Sequence, residues 1–325
     1  MDVNQAIVEE RPTSVGTQAL LSDSRRDVTL AVLVAALGYF VDIYDLILFS
    51  IVRVPSLLSL GVAPADLLSR GVLLLNLQMG GMLIGGILWG VLGDKRGRRS
   101  VLFGSIALYS IANIANGLVG SMGSYALWRF LAGVGLAGEL GAGVTLVSEI
   151  MTPKNRGYGT TAIATAGMLG AIVAVLIGDT FSWRVAYVVG GGMGIVLLLL
   201  RIGIFESSMF EDAKQHSARR GDFLSLFANR RRALKYLSVI AIGVPIWYVM
   251  GILITFSPEF GQERHMSVLP NAGRAIMFAY AGLVVGGFYS GWLSQRSRSR
   301  KRVVRLFTVL TGLGIAAFFG VRVDA

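Results

Sequence analysis

The chain contains no cysteine and only two histidines, His216 and His265. Without a thiol there is no disulfide, no thiolate metal site and no cysteine nucleophile. Both histidines fall in polar stretches between apolar ones, which argues against a histidine base or a histidine metal site within the body of the protein. No metal and no other cofactor is expected, and neither is an enzyme: there is no His-Glu-x-x-His spacing and no histidine placed to serve an intramembrane serine. Charge is scarce too, at 15% of residues, against about 25% in an ordinary soluble domain. Nor do the first 27 residues hold a short apolar core followed by a small-residue cleavage site. Residues 1–27 therefore read as a cytoplasmic N-terminal tail ahead of an uncleaved first span.

What the chain does have is apolar length. It is 54% hydrophobic, and long apolar runs recur at roughly 28–52, 72–93, 101–119, 124–150, 158–178, 185–204, 236–256, 275–293 and 303–321. Each approaches the ~20 residues a helix needs to cross the hydrocarbon core. Lipid cannot satisfy bare backbone groups, so runs of this length should be helices. The expectation is an all-α membrane protein, multi-pass in the cell (inner) membrane. Glycine is abundant, 42 in all. Gly80, Gly81, Gly85 and Gly86 in the second run, and Gly133, Gly135, Gly138, Gly141 and Gly143 in the fourth, are spaced so that helices can approach closely. Packing is the reading for most of them.

The net charge of +11 is explained by where the cations fall. With the N-terminus cytoplasmic, twenty-two Lys and Arg lie in inside segments and five in outside ones, which satisfies the positive-inside rule. No nucleic-acid partner is implied, and anionic lipid heads are a secondary contact. Most connections are short. Residues 205–235 are the exception, a polar and basic stretch that reads as a cytoplasmic linker, with a short surface helix around Phe223–Phe227. It separates a six-helix bundle at 28–204 from a partial second bundle at 236–325.

Between the second and third runs lies a polar hinge, Gly90-Val-Leu-Gly93-Asp94-Lys95-Arg96-Gly97-Arg98-Arg99. A degenerate copy, Gly291-Trp-Leu-Ser-Gln295-Arg-Ser-Arg-Ser-Arg300, follows the eighth run, so the two halves read as parallel repeats. On this hinge, its copy and six helices followed by a long loop, the chain resembles the major facilitator superfamily. Arg129-Phe-Leu-Ala-Gly133-Val-Gly135-Leu-Ala-Gly138-Glu139, followed by Glu149, Pro153, Arg156 and Gly157, together with Trp183-Arg184-Val-Ala-Tyr187, is similar to its sugar-porter and metabolite:proton-symporter branches. Asp42-Ile-Tyr-Asp45 and Arg201…Glu206 lean toward symporters of organic anions and zwitterions. The resemblance implies twelve helices, whereas the ninth run ends near Ala325. The expectation is a major-facilitator-like helical bundle with an incomplete second half of about three helices, either a truncated product or one completed by a second chain.

Ionisable groups inside a span are functional hypotheses by default. At ~1.5 Å per residue, Asp42 and Glu139 fall near the midplane and Asp45 and Arg129 in the outer third. Asp42 and Asp45, three apart, share a helix face. Two nearby carboxylates at low dielectric cannot both ionise cheaply, so one should carry a proton. Arg129 can pair with Asp45 or offer its planar fork to a substrate carboxylate. Asp42, Asp45, Arg129 and Glu139 thus form a candidate proton and substrate relay; the structural alternative is an Asp–Arg pair that fixes the first helix to the fourth. Gly90, Asp94, Arg98, Glu149 and Arg156 form a candidate cytoplasmic gate of rearranging charge pairs, against the alternative of topology signals and helix-end charge. Gln78, Trp247 and Tyr248 are candidate cavity-lining residues, the last two beside Pro245, where a broken hydrogen-bond ladder bends the helix. Trp and Tyr are equally at home at membrane interfaces.

The function expected is proton-coupled alternating access for a small polar solute, an organic anion or zwitterion ahead of a sugar. Its partners are a small-molecule substrate, protons and membrane lipid. A sugar carrier, a proton-driven efflux transporter and a truncated, non-transporting membrane protein are the alternatives.

Overall fold

The computed structural model describes the backbone of residues 14–96, 98–150, 156–205, 223, 227–297 and 299–320; side chains are described from residue 29, and not for 97–100, 140–161 or 203–222, nor for a few isolated positions. Within these residues the chain is helical. In order come α1 (Ser14–Ser59), α2 (Leu67–Arg96), α3 (Arg98–Leu118), α4 (Met122–Ile150), α5 (Arg156–Thr180), α6 (Trp183–Phe205), α7 (Arg230–Tyr248), a π-helical turn (Val249–Ile254), α8 (Ser257–Glu263), α9 (Ala272–Ser297) and α10 (Arg300–Gly320). Eight helical segments are long and apolar enough to cross a membrane among the described residues.

Boundaries follow local chemistry. α1 ends at a Schellman turn: Gly61 takes φ +80°, Val62 N–H donates to Leu57 O and Gly61 N–H to Leu58 O, and the left-handed residue is glycine because it has no Cβ to clash. α7 starts where Asn229 Oδ1 accepts from the Arg231 N–H, and α9 where Asn271 Oδ1 accepts from Arg274 N–H; both are side-chain caps of otherwise unpaired donors. Pro245 removes one donor from α7, and the π turn follows it, closed by a hydrogen bond from Thr255 Oγ1 to Met250 O.

Three expectations shift in detail. Residues 14–27 continue α1 as helix, which makes α1 46 residues long. The hinge is mostly helix, since α2 runs through Arg96 and α3 begins at Arg98; Gly97 lies outside the described residues. In the second copy α9 likewise runs through Ser297 and α10 begins at Arg300. The surface helix expected near 223–227 lies largely outside the described residues, although the Phe223 and Phe227 rings meet edge-on at 5.6 Å.

Helices α1 to α6 pack tightly: α1 against α5, α2 against α4, and α3 against both α4 and α6. The α2–α4 crossing is backbone on backbone. A Cβ at Gly81 or Gly85 would run into Phe130 O or Val134 O, and one at Gly133 into Gln78 O, so those glycines are there for close approach. Gly80 and Gly86 face open space. The core of α1, α4 and α6 is aromatic, with Tyr44, Phe49, Tyr125, Trp183 and Tyr187 all buried. A second cluster, Ile43, Leu46, Ile47, Ala171, Val175, Met250, Ile276 and Tyr280, joins α1 and α5 to the π turn and α9. Helices α7, α9 and α10 present largely exposed apolar faces. The ends of α2, α4, α6 and α9 and the starts of α3, α5, α7 and α10 gather at one end of the molecule, here called the basic end because most Lys and Arg lie there.

Candidate functional site

The site sits inside the α1–α6 bundle. Asp42, Asp45, Gln78, Arg129 and Glu139 are all buried there, at 0–3% exposure. Of the two alternatives for Arg129, the ion pair with Asp45 is not the one seen. Asp45 Oδ2 accepts from Asn113 Nδ2 at 2.7 Å, and its Oδ1 has no partner among the described residues. Arg129 donates to Gln78 Oε1 and, at 3.3 Å, to the Tyr187 hydroxyl. Its guanidinium lies 4.3 Å over the Phe49 ring and 5.9 Å from that of Tyr187. The reason is reach: amide and aromatic groups of α2, α1 and α6 surround the cation before any carboxylate does. Asp45 remains within electrostatic range of Arg129 but not bonded to it. Tyr187 extends the network, exchanging a 2.9 Å hydrogen bond with Tyr125, which donates to Ser56.

Toward the basic end, Glu139 is held by Arg201 through two bonds, Nη1 to Oε2 at 2.8 Å and Nη2 to Oε1. The sequence does not show this bidentate, fully buried pair as a pair; the signal available is an arginine, Arg201, set in the apolar second half of α6. Asp42 lies within electrostatic range of Glu139, Arg201 and Asp45, yet neither of its oxygens has a partner among the described residues. Asn113, Tyr109 and Asn116 also escaped notice, being neutral; their i, i+4, i+7 spacing on α3 was the clue.

At the opposite end Arg53 of α1, 2% exposed, pairs with Glu259 of α8. Its guanidinium lies 4.6 Å over the Phe256 ring, and Thr255 Oγ1 meets Ser50 Oγ at 3.3 Å nearby. This closure ties the first six helices to the segment after α7; in the sequence Arg53 carries only the mark of a topology charge on the outer side, with nothing to point to Glu259 as its partner.

Other nominated residues are dispersed. Gly90 and Asp94 lie exposed near the end of α2. Arg98 begins α3, Glu149 lies at the end of α4 and Arg156 begins α5, so the backbone brings all five to the basic end; the side chains of these last three are outside the described residues. Trp247 and Tyr248 do not line the cavity of about 830 Å³ found between α5, α7, α9 and α10. Ile242, Pro245, Ile246 and Val249 do. Those follow one helical face, which leaves Trp247 and Tyr248 on another, 51% and 39% exposed. None of the nominated residues lines that cavity.

Long apolar helices that enclose carboxylates and guanidinium groups among themselves define a multi-pass membrane protein with an internal polar site. The chain belongs to the Major Facilitator Superfamily, whose family model matches residues 29–323. A protein of Cupriavidus pinatubonensis described as "Probable 4-methylmuconolactone transporter" is 29% identical over 217 residues, covering 64% of this chain and 50% of that protein. The "3-(3-hydroxy-phenyl)propionate transporter" of Escherichia coli K12 is 29% identical over 223 residues, covering 67% and 54%. The chain thus spans about half the length of these two curated relatives. The crystal structure of a D-xylose-proton symporter shares the fold, with a TM-score of 0.53 at 16% identity over 82% of this chain and 67% of that one.

Proposed function

We propose proton-coupled transport of small organic anions, working by alternating access between a six-helix bundle at 28–204 and the segment from 236 onward. The observation that carries this reading is Arg129. It is a fully buried cation with no carboxylate bonded to it among the described residues, cradled by an amide, a phenol and an aromatic face. A buried charge without a counter-ion is costly, and a substrate carboxylate is the group that would supply one, bound by the planar fork and flanked by aromatic rings. A relative named for a phenylpropionate, which is a carboxylate, supports the same chemistry. Asp42 and Asp45 supply the proton sites: protonation of Asp45 would weaken its hold on the field of Arg129 and free that cation for an anion. The Arg53–Glu259 closure and the residues gathered at the basic end would be the two gates. With the N-terminus cytoplasmic and the protein in the inner membrane, the closed end faces outward.

The test is uptake of aromatic and aliphatic carboxylates into proteoliposomes under an imposed pH gradient. Driven uptake should fall at least tenfold in Arg129→Gln and in Asp45→Asn, and thermal stabilisation by the same acids, which reports binding to the native state alone, should vanish in Arg129→Gln. Uptake that survives Asp42→Asn and Asp45→Asn unchanged, or that is equal for neutral analogues, would sink the reading.

A further inference from the structure

The first bundle contains a polar ladder that the anion site does not use. Tyr109, Asn113 and Asn116 occupy one face of α3. α1 and α3 run in the same direction, and the hydrogen bond from Asn113 to Asp45 sets their register. One turn closer to the basic end on both helices, Tyr109 is therefore level with Asp42. Below them lies the Glu139–Arg201 pair.

Two features mark this seam. Its polar atoms are unsatisfied among the described residues: both oxygens of Asp42, Oδ1 of Asp45, the Tyr109 and Ser110 hydroxyls and the Asn116 amide have no partner there, although each of these residues is at most 3% exposed. Buried polar groups are almost always bonded, to protein or to internal water, so this concentration calls for mobile hydrogen-bonding partners. Each rung is also kept clear by a glycine. A Cβ at Gly190 would strike Asp45 Oδ1; one at Gly194 would strike Ser110 Oγ and lie 3.0 Å from the Tyr109 hydroxyl; one at Gly38 would strike Glu139 Oε1. Tyr109 is within electrostatic reach of every charged group that faces it: Asp42 and Asp45 from α1, Glu139 from α4 and Arg201 from α6.

We propose that this ladder, enclosed by α1, α3, α4 and α6 and separate from the α7–α10 cavity, is the route of the coupled proton, with the Tyr109 hydroxyl passing it between Asp45 and Asp42. The inference rests on the proton-coupled reading above. In the transfer, protonated Asp45 gives its proton to the phenol oxygen as the phenol gives its own to the Asp42 carboxylate. One O–H bond breaks and one forms at each end, Tyr109 is unchanged, and the negative charge moves from Asp42 to Asp45; water completes any gap longer than a hydrogen bond. From Asp42 the proton reaches Glu139, which neutralises the partner of Arg201.

The deciding variant is Tyr109→Phe, which removes one oxygen and no charge. Uptake driven by a pH gradient should drop at least tenfold, while substrate counterflow at equal pH, which needs no net proton movement, should stay within twofold. A second readout requires no transport. In infrared spectra of the purified chain, a carboxylic-acid C=O band should move to higher wavenumber in Tyr109→Phe, because the acid O–H loses the phenol oxygen that accepts from it. Gly194→Ala, which crowds the hydroxyl and keeps every titratable group, should slow driven uptake in the same selective way if Tyr109→Phe fails to fold. Driven uptake and counterflow falling together, or an unshifted band, would overturn the ladder and leave the carrier reading standing. Absence of any driven uptake by the unaltered chain would overturn the carrier reading instead, with the band shift still deciding whether Tyr109 bonds a carboxylic acid.

Discussion

Arg129 and Arg201 are both fully buried in the same bundle, and they are held in opposite ways. Arg201 is neutralised by Glu139 through two charge-assisted bonds. Arg129 is solvated by Gln78, Tyr187 and the Phe49 face. The first arrangement is closed: its charge is spent within the protein, and disturbing it leaves an orphan. The second is open, because amide and aromatic groups lower the cost of the cation without cancelling it. Burial of a charge is thus not by itself a mark of a binding site; the counter-ion decides.

That contrast can be broken most severely at Arg201. Arg201→Met should destabilise the protein by about 3–5 kcal/mol by stranding Glu139, read as a loss of thermal stability in detergent, and pairing it with Glu139→Gln should recover most of the loss. Equal instability in the single and double variants would mean that Arg201 acts through packing alone. A smaller effect should sharpen the other half. Gln78→Glu supplies Arg129 with an internal carboxylate, so stability should hold while anion affinity falls roughly tenfold, about 1.4 kcal/mol; tighter anion binding would contradict the open-cation reading. The smallest change is expected at the far end of α1. Arg53→Gln breaks the tie to Glu259 at a cost of about 1 kcal/mol, yet a cysteine placed at Ser257, now 5% exposed, should react faster with a water-soluble maleimide. The chain has no native cysteine, so the label has no background; an unchanged rate would remove this pair from the gating scheme.

Helices were legible because nine apolar runs of membrane length leave little alternative, and α1 to α7, α9 and α10 follow those runs. Their ends were less so. Polar residues at 14–27 and 94–96 continue as helix, since hydropathy reports lipid contact and not backbone hydrogen bonding. Intramembrane charges stood out one by one, and Asp42, Asp45, Arg129 and Glu139 are indeed all buried. Their partners did not stand out. Pairing depends on how α4 and α6 are rotated about their axes, which a nearly all-apolar helix does not encode in its pattern, so Glu139–Arg201 is invisible in the sequence and the choice between pairing and leaving Arg129 open stays undecided there. Neutral groups such as Asn113 and Tyr109 carry no hydropathy signal strong enough to be noticed, although they decide which carboxylates are bonded.

The length of α1 has a mechanical consequence. Ser14 lies 31 residues before Asp45 on one continuous helix, roughly 47 Å away at ~1.5 Å per residue. A tilt of about 5° pivoting at the buried aspartate would swing the Ser14 end by about 4 Å. The helix that carries the proposed proton sites is therefore also a pointer, and a spin label at its tip would read out at a distance what happens to a carboxylate buried inside the bundle.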